Sequence, residues 1–488
     1  VRVNAADRLP MWHAWKRVAP HLLPFADAAT EDLPLGRLLR LSLFQVSVGM
    51  ATVLLIGTLN RVMIVEMGVG AWLVALLVAL PILIAPLRAL VGYRSDTHRS
   101  VLGWRRVPYL WLGTWMQFGG LAIMPFALIL LSGDRTTGPW WLGHAGAALA
   151  FLLVGAGMQT VQTAGLALAT DLAPESSRPR IVALMVVMQL VGMVACGALF
   201  GLLLADFSQV RLIRVVQGAA SATLVLNLIA AWKQEVRNPQ LTTGPAPGTD
   251  FRSAWRRLSR TGRTRRYLVA LGLGTAAFSM QDIVLEPYGG EILHLGVGAT
   301  TALTALMAVG SIVAFALAAR HLGRGGDPYR VAAYGALVGL FAFSAVIFAE
   351  PMHSALLFRA GVVGIGFGAG LFAVGTLTAA MALDTHGFKG LALGAWGSVQ
   401  ATCAGLAIAA GGTLRDAVST LATQGTLGSV LAHPATGYSF VYHVELALLF
   451  LTLIAIGPLV RTSRRSSAPS SSRYGAPGLP GRPSTENT

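Results

Sequence analysis

Charge is what this chain has least of. Only 12% of its 488 residues are Asp, Glu, Lys or Arg, whereas a soluble domain carries about 25%. A chain that is 54% hydrophobic and so short of charge cannot cover a water-facing surface, which excludes an ordinary soluble enzyme or binding module. Cysteine is nearly absent too. Cys196 and Cys403 fall in apolar stretches of opposite halves, which excludes a disulfide framework or thiolate metal site and makes them packing residues. Also missing are an H-E-x-x-H pair, a Walker loop, a dinucleotide fingerprint and a Ser-centred hydrolase elbow.

What the chain does have is long apolar runs. Crossing a hydrocarbon core takes roughly 20 residues of helix. Runs of that size occupy 40–60, 70–92, 108–131, 140–169, 180–205, 211–231, 267–289, 297–319, 331–349, 355–383, 389–411 and 439–460. Twelve spans follow, in an all-α polytopic membrane protein. No short basic-plus-apolar segment with a cleavage site precedes the first span, so a removable signal peptide is not expected.

Basic residues fix the orientation. Arg2, Arg8, Lys16, Arg17, Arg37 and Arg40 precede the first span, Arg94, Arg99, Arg105 and Arg106 fill the second connection, and the sixth, 232–266, is the most basic. The odd-numbered connections hold few. Both termini are therefore expected in the cytoplasm, with the protein in the bacterial inner membrane. This bias, together with attraction to anionic lipids, accounts for the net charge of +16 without a nucleic-acid partner.

The basic connection also divides the chain six spans against six. The expected organisation is a cytoplasmic arm (1–37), a six-helix bundle (38–231), a basic linker (232–266), a second six-helix bundle (267–461) and a disordered Ser/Pro/Gly/Arg tail (462–488). The halves echo each other: "VEMGVGAWLVALL" at 65–77 resembles "LHLGVGATTALTAL" at 293–306, and the runs ending at Asp171 and Asp384 correspond. Parallel six-helix repeats are the organisation of the major facilitator fold. The connection "GYRSDTHRSVLGWRRVPYL" (92–110) resembles that fold's loop between its second and third helices, with a longer spacer between Asp96 and Gly103. Asp96 is placed to cap a helix or pair with an Arg across the inner face.

An ionisable group in hydrocarbon is a functional hypothesis by default. The stretch "MQDIVLEPYGGEILHLGVG" (280–298) concentrates them. Asp282 and Glu286 are one turn apart, expected on one face at an outer mouth rather than at the midplane. Pro287 is expected to kink or end the helix, and Gly289 and Gly290 to turn the chain so that Glu291 and His294 return toward the same region. Four roles stay open for the acids: a proton-coupling pair, a cation site, acceptors that hold a helix break, or a docking surface. D-x-x-x-E occurs beside no Lys/Arg diphosphate clamp, so an enzyme is not expected. Gln45, Gln159 and Gln162 are candidates to line a cavity in the first half, with interhelical hydrogen bonding as the plainer role. His294 and His443 are candidates to ligate a chlorin magnesium, although His443, between Tyr442 and Glu445 and near Tyr438, fits an interfacial aromatic belt equally well. The central region otherwise offers amides and few charges, which argues against steep proton coupling.

At "QDIVLEPYGG" the sequence resembles the PucC family of purple phototrophic bacteria, in the sense of its LhaA-like branch. The likeness extends through "SDTHRSVLGWRRVPYLWLG" (95–113) and "ATDLAPESSRPRIVALMVVMQLVG" (169–192) to "GVGATT" (296–301) and covers about residues 30–460. The resemblance implies a facilitator fold and a role in assembling light-harvesting antenna, around the reaction centre more than at the periphery. It implies pigment delivery, membrane chaperoning of antenna polypeptides, or both. Partners so implied are antenna polypeptides, the reaction centre–core antenna complex and chlorophyll synthase, with bacteriochlorophyll as a non-covalent ligand. Signature positions carried by the resemblance are Asp96, Arg105, Arg106 and Pro108; Asp171, Pro174, Glu175 and Arg180; and Gln281, Asp282, Glu286, Pro287, Tyr288 and Gly289. The competing reading is secondary transport of a small solute or pigment by alternating access.

Overall fold

A computed structural model describes residues 33–83, 104–131, 141–174, 177–235, 262–382 and 389–466. Asp96, Glu175 and Asp384, and the roles expected of them, lie outside these. The described residues fold as twelve helices: α1 (Leu35–Glu66), α2 (Ala71–Leu83), α3 (Val107–Leu131), α4 (Trp141–Leu172), α5 (Arg178–Leu203), α6 (Gln209–Ala231), α7 (Gly262–Glu291), α8 (Val297–Gly323), α9 (Pro328–Ala349), α10 (Ala355–Met381), α11 (Lys389–Thr423) and α12 (Ala435–Ser466). Ten, all but α2 and α11, are long and apolar enough to cross a bilayer.

Their starts are written locally. Ser208, Asp327 and Ser354 accept the backbone N–H groups of Arg211, Tyr329 and Leu357 and so cap α6, α9 and α10. Pro328 opens α9, where its missing N–H costs nothing. In α3, Pro108 sits in the first turn, and the Glu235 carboxylate accepts the N–H groups of Arg105, Arg106 and Val107 at 2.7–3.1 Å.

Two helices are central. In the apolar windows of α1 and α7, 83% and 67% of residues are buried, against 28% in α5 and α12. α1 packs on α4, α5 and α6, and α3 on α4 and α6; in the second half α7 packs on α11 and α12, α8 on α10, and α9 on α10 and α12. The groups meet through α2 on α11, α5 on α8, and α1 on α7 and α8. Gly298 of α8 lies on the backbone of Gly201 of α5 and of Ala205 just beyond it, leaving no room for a Cβ.

Both central helices depart from α geometry. α1 widens into π turns at Val53–Thr58 and Val62–Glu66, and α7 tightens into a 3-10 turn at Met280–Ile283 before resuming over Leu285–Glu291. π turns inside α-helices often mark functional positions. The expected break at Pro287 is thus displaced toward the N-terminus. Pro287, Gly289 and Gly290 are helical, Pro287 in the first turn of the resumed helix, where its missing N–H is tolerated. The chain turns instead at His294, whose φ is 52°.

Most of the expected spans recur, several with longer ends, whereas the second is described only as far as Leu83. α1 runs on past Asn60, α11 past Gly411, and α7 begins at Gly262, inside the expected linker. Those extensions carry Arg61, Glu66, Arg415 and Asp416 into helices.

Candidate functional site

For orientation, the near face is where α1 and the other odd-numbered helices begin and the far face where they end. At the break in α7 the backbone loses its regular ladder and its carbonyls need donors. Asn60, between the π turns of α1, supplies one: its Nδ2 donates to the carbonyls of Asp282 and Ile283 at 3.0 and 3.2 Å.

Glu286 is 3% exposed. Thr304 of α8 donates its hydroxyl to Glu286 Oε1 at 2.5 Å, and Arg61 of α1 is its charged neighbour. A Cβ at Gly57 would sit 2.5 Å from that same oxygen, so the absent side chain of Gly57 makes room for the carboxylate. Arg61, 4% exposed, is held by Glu66 and donates from Nη2 to the Leu295 carbonyl at 3.3 Å.

Asp282 has different surroundings. Gln281 Nε2 donates to its Oδ1. Asp282 also lines a cavity of about 230 Å³ with Thr275, Phe278, Ser279 and Gln281 of α7, Met307 and Ser311 of α8, Phe372 and Ala373 of α10, Gln400 of α11, and Leu190 and Met193 of α5. From Asp282 it extends toward the near face, since Thr275 and Gln400 lie nearer those ends of α7 and α11. The acids therefore occupy two environments, and Asp282 belongs to an interior cavity rather than an outer mouth.

Behind Asp282 stands Glu445 of α12, 0% exposed, with the Asp282 carboxyl as its charged neighbour. The Gln281 backbone N–H approaches Glu445 without closing a hydrogen bond of normal geometry, and neither carboxyl oxygen has a partner. Tyr438 and Tyr442, each 0% exposed, meet Tyr288 edge-on at 5.6 Å between ring centroids. They are core and not an interfacial belt. Next to them Arg415 donates to Glu291 Oε2 at 2.5 Å and to the Tyr438 hydroxyl at 2.8 Å, and Tyr438 donates to the same Glu291 oxygen at 2.7 Å.

Among the described residues, contacts bridge the halves on the far face. Trp72 N donates to Asp416 Oδ2 at 2.8 Å, Thr58 and Thr301 hydroxyls meet at 3.3 Å, and Arg61 reaches Leu295. On the near face Asp171 receives Arg106 Nε at 2.9 Å, with Arg105 at 3.7 Å.

The remaining candidates scatter. Gln45 and Gln162 join Gln189, Gln162 donating to Gln189 Oε1 at 2.9 Å and to Gln45 Oε1 at 3.5 Å. With Gln159 they stay apart from the cavity that Asp282 lines. His294 is an exposed turn residue, and His443 is exposed on α12 with Nδ1 2.7 Å from the Ser439 carbonyl. Pro174 and Arg180 flank the start of α5, both exposed. Missed by sequence reasoning were Asn60, Arg61, Glu235, Arg415 and Glu445. The signal for three of them was the one applied to Asp282, an ionisable residue within an apolar helix. Their charges add to a region expected to offer amides and few charges. Among the described residues no group of three His, Cys, Asp or Glu is arranged to hold a metal ion.

Comparison with known proteins places these features. The model of the family described as PUCC protein matches residues 58–464. An uncharacterized protein in the puhA-bchM intergenic region of Rhodobacter capsulatus is 57% identical over 440 residues, covering 90% of this chain and 92% of its own length. Protein PucC of Rhodovulum sulfidophilum is 56% identical over 408 residues, covering 82% and 89%. Among solved structures, a mutant of the nucleoside transporter NupG superposes with a TM-score of 0.64 at 12% identity, over 87% of this chain and 99% of that one. That last likeness is one of fold.

Proposed function

This chain belongs to the PUCC protein family, and on that premise we propose that it is an alternating-access carrier of a bacteriochlorophyll-related pigment. Family membership links a multi-pass protein of the bacterial inner membrane to photosynthetic membranes, and the reading extends that link. The observation that carries it is the cavity at Asp282, which at about 230 Å³ must widen during the cycle to enclose a whole pigment. Helices of both halves line it, its wall is apolar and aromatic, and its polar groups, Thr275, Ser279, Gln281, Asp282, Ser311 and Gln400, are the few oriented groups that ligand sites typically carry. The far-face contacts support a state closed on that side. We take the twelve helices as two pseudo-symmetric bundles of six, both termini and the near face cytoplasmic, so that the cavity turns toward the side where pigment is made. No catalytic step is assigned.

Family membership also favours a second reading, in which carriage serves antenna assembly. Pigment would pass from chlorophyll synthase to newly inserted antenna polypeptides, or those helices would be shielded until they close around the reaction centre. Here pigment is cargo, and no resident cofactor is assigned.

One experiment tests both readings. Protein purified in mild detergent from pigmented cells is examined for pigment absorbance and for co-isolated polypeptides, then reconstituted into vesicles to follow pigment transfer. Acceleration by the wild type, reduced by Phe372→Ala in the cavity wall, is the expected result. A protein that recovers antenna polypeptides but moves no pigment would replace carriage with chaperoning; a colourless protein without partners or pigment transfer would remove both.

A further inference from the structure

The buried polar atoms left without partners around the α7 break are mostly acceptors. They are Asn60 Oδ1, Gln281 Oε1, Glu286 Oε2 and both carboxyl oxygens of Glu445, with the Arg61 Nε and Tyr442 hydroxyl donors among them. The amide orientations are fixed by neighbours: Asn60 Nδ2 is held by the Ile56, Asp282 and Ile283 carbonyls, and Gln281 Nε2 by the Phe278 carbonyl and the Asp282 carboxylate. Turning either amide over would set oxygen against oxygen. Neither donor is bonded to Glu445 or to Gln281 Oε1, so what is lacking there is a donor or a cation, because a buried acceptor without one pays its full desolvation cost.

We propose that Asp282 and Glu445 form a proton-coupling pair, in which one proton passes between the cavity-lining carboxyl of Asp282 and the sealed carboxyl of Glu445. The inference deepens the carrier reading by naming the ion that drives it. Two carboxyls side by side in a low-dielectric interior resist ionising together, and a single shared proton relieves the repulsion. The positions divide the labour. Asp282 and Gln281 line the cavity that extends toward the near face; Glu445 is wholly buried in α12 behind them.

Neither Glu445 oxygen is hydrogen-bonded in this state, so transfer requires the two carboxyls to come within hydrogen-bond reach. The Asp282 O–H bond then breaks, a Glu445 O–H bond forms, and the pair keeps a net charge of −1 throughout. The 3-10 turn that holds Asp282 is the part of α7 whose ladder is already open, so a change of charge there acts on the helix that α1 and α8 grip.

The groups facing the pair are few. Tyr442 precedes Glu445 on α12 and contacts Tyr288 of α7 and Tyr438. The Arg415–Glu291 pair lies beyond Tyr438, and Arg61 is committed to Glu66, Leu295 and Glu286. No basic side chain is recorded against Glu445 or Asp282 among the described residues.

The test reads the proton directly and needs no cargo. Wild type, Glu445→Gln and Asp282→Asn are reconstituted in lipid, and the infrared band of protonated carboxyl groups is followed across pH, with and without sodium. Expected is a wild-type band that titrates, is lost in Glu445→Gln, shifts its titration in Asp282→Asn and ignores sodium. A band unchanged in Glu445→Gln, or no titrating band in a wild type that keeps its far-ultraviolet helical signal, overturns the proposal. Loss of the wild-type band on adding sodium at fixed pH overturns it in favour of a metal-cation site. Pigment transfer is assayed on the same vesicles, so failure of carriage with the carboxyl band intact is distinguishable from failure of the pair.

Discussion

The side-chain amide of Asn60 on α1 and the backbone carbonyl of Asp282 on α7 meet at 3.0 Å, with the Ile283 carbonyl on the same donor. One helix thereby completes the hydrogen bonding that the other gives up. Asn60→Leu leaves those carbonyls buried and bare, at a cost of about 1–3 kcal/mol for an unsatisfied group. Asn60→Asp removes the donor and adds repulsion, so it costs more. Thermal midpoints in lipid nanodiscs should fall in that order, and equal midpoints for all three proteins would discard the role.

Arg415 and Glu291 are partly buried, with side-chain exposures of 14% and 27%. Arg415→Met strands the carboxylate and Tyr438, and the loss should be about 3 kcal/mol, the low end for a broken buried pair. Arg415→Met with Glu291→Leu should recover most of it. A double-mutant cycle on denaturant midpoints checks this, and simple additivity would show that the two do not act as a unit.

Gly298 touches the α5 backbone with no side chain between them. Gly298→Leu should prise α5 from α8 on the far face. With Cys196 and Cys403 replaced by Ser, a cysteine introduced by Ser311→Cys in the cavity should then react severalfold faster with a membrane-impermeant thiol reagent added from the far side. Unchanged labelling in a folded variant would mean that this contact does not hold the seal.

How much of this was legible beforehand depends on what each residue needed. Twelve apolar runs predict the helices because hydrocarbon leaves the backbone no other satisfaction in a chain of this kind. Where reading failed, it failed at charges. The first span stops at Asn60 if Arg61 is taken as its end, and the eleventh stops before Arg415. What keeps those arginines inside is Glu66 and the Leu295 carbonyl in one case, Glu291 and Tyr438 in the other. The Leu295, Glu291 and Tyr438 partners lie far away in sequence, and no local pattern announces them. The acids of α7 were found for a sound reason and misplaced for another: the one-face rule assumes an uninterrupted helix, and the 3-10 turn at Met280–Ile283 breaks that assumption.

His294 illustrates the opposite case, a residue chosen for its chemistry that the backbone explains. With φ at 52° it sits where Gly is at ease and β-branched residues are strained. His294→Gly should keep stability and any pigment spectrum, whereas His294→Val should cost about 1–3 kcal/mol. A spectrum altered by His294→Gly would restore it as a pigment ligand.

The Asn60 contact and the buried Arg61 also set an order on biogenesis. The ribosome delivers α1 to α6 long before α7 and the Leu295 turn exist, so Asn60 must wait in the bilayer without the carbonyls of Asp282 and Ile283, and Arg61 without Leu295. During that interval the first half carries an arginine and an amide on a surface that will later be interior. Snorkelling toward the headgroups, or a holding factor at the insertion site, has to shelter them until the second half arrives. An N-terminal fragment ending in the 232–266 linker leaves those two side chains without the carbonyls that the second half supplies.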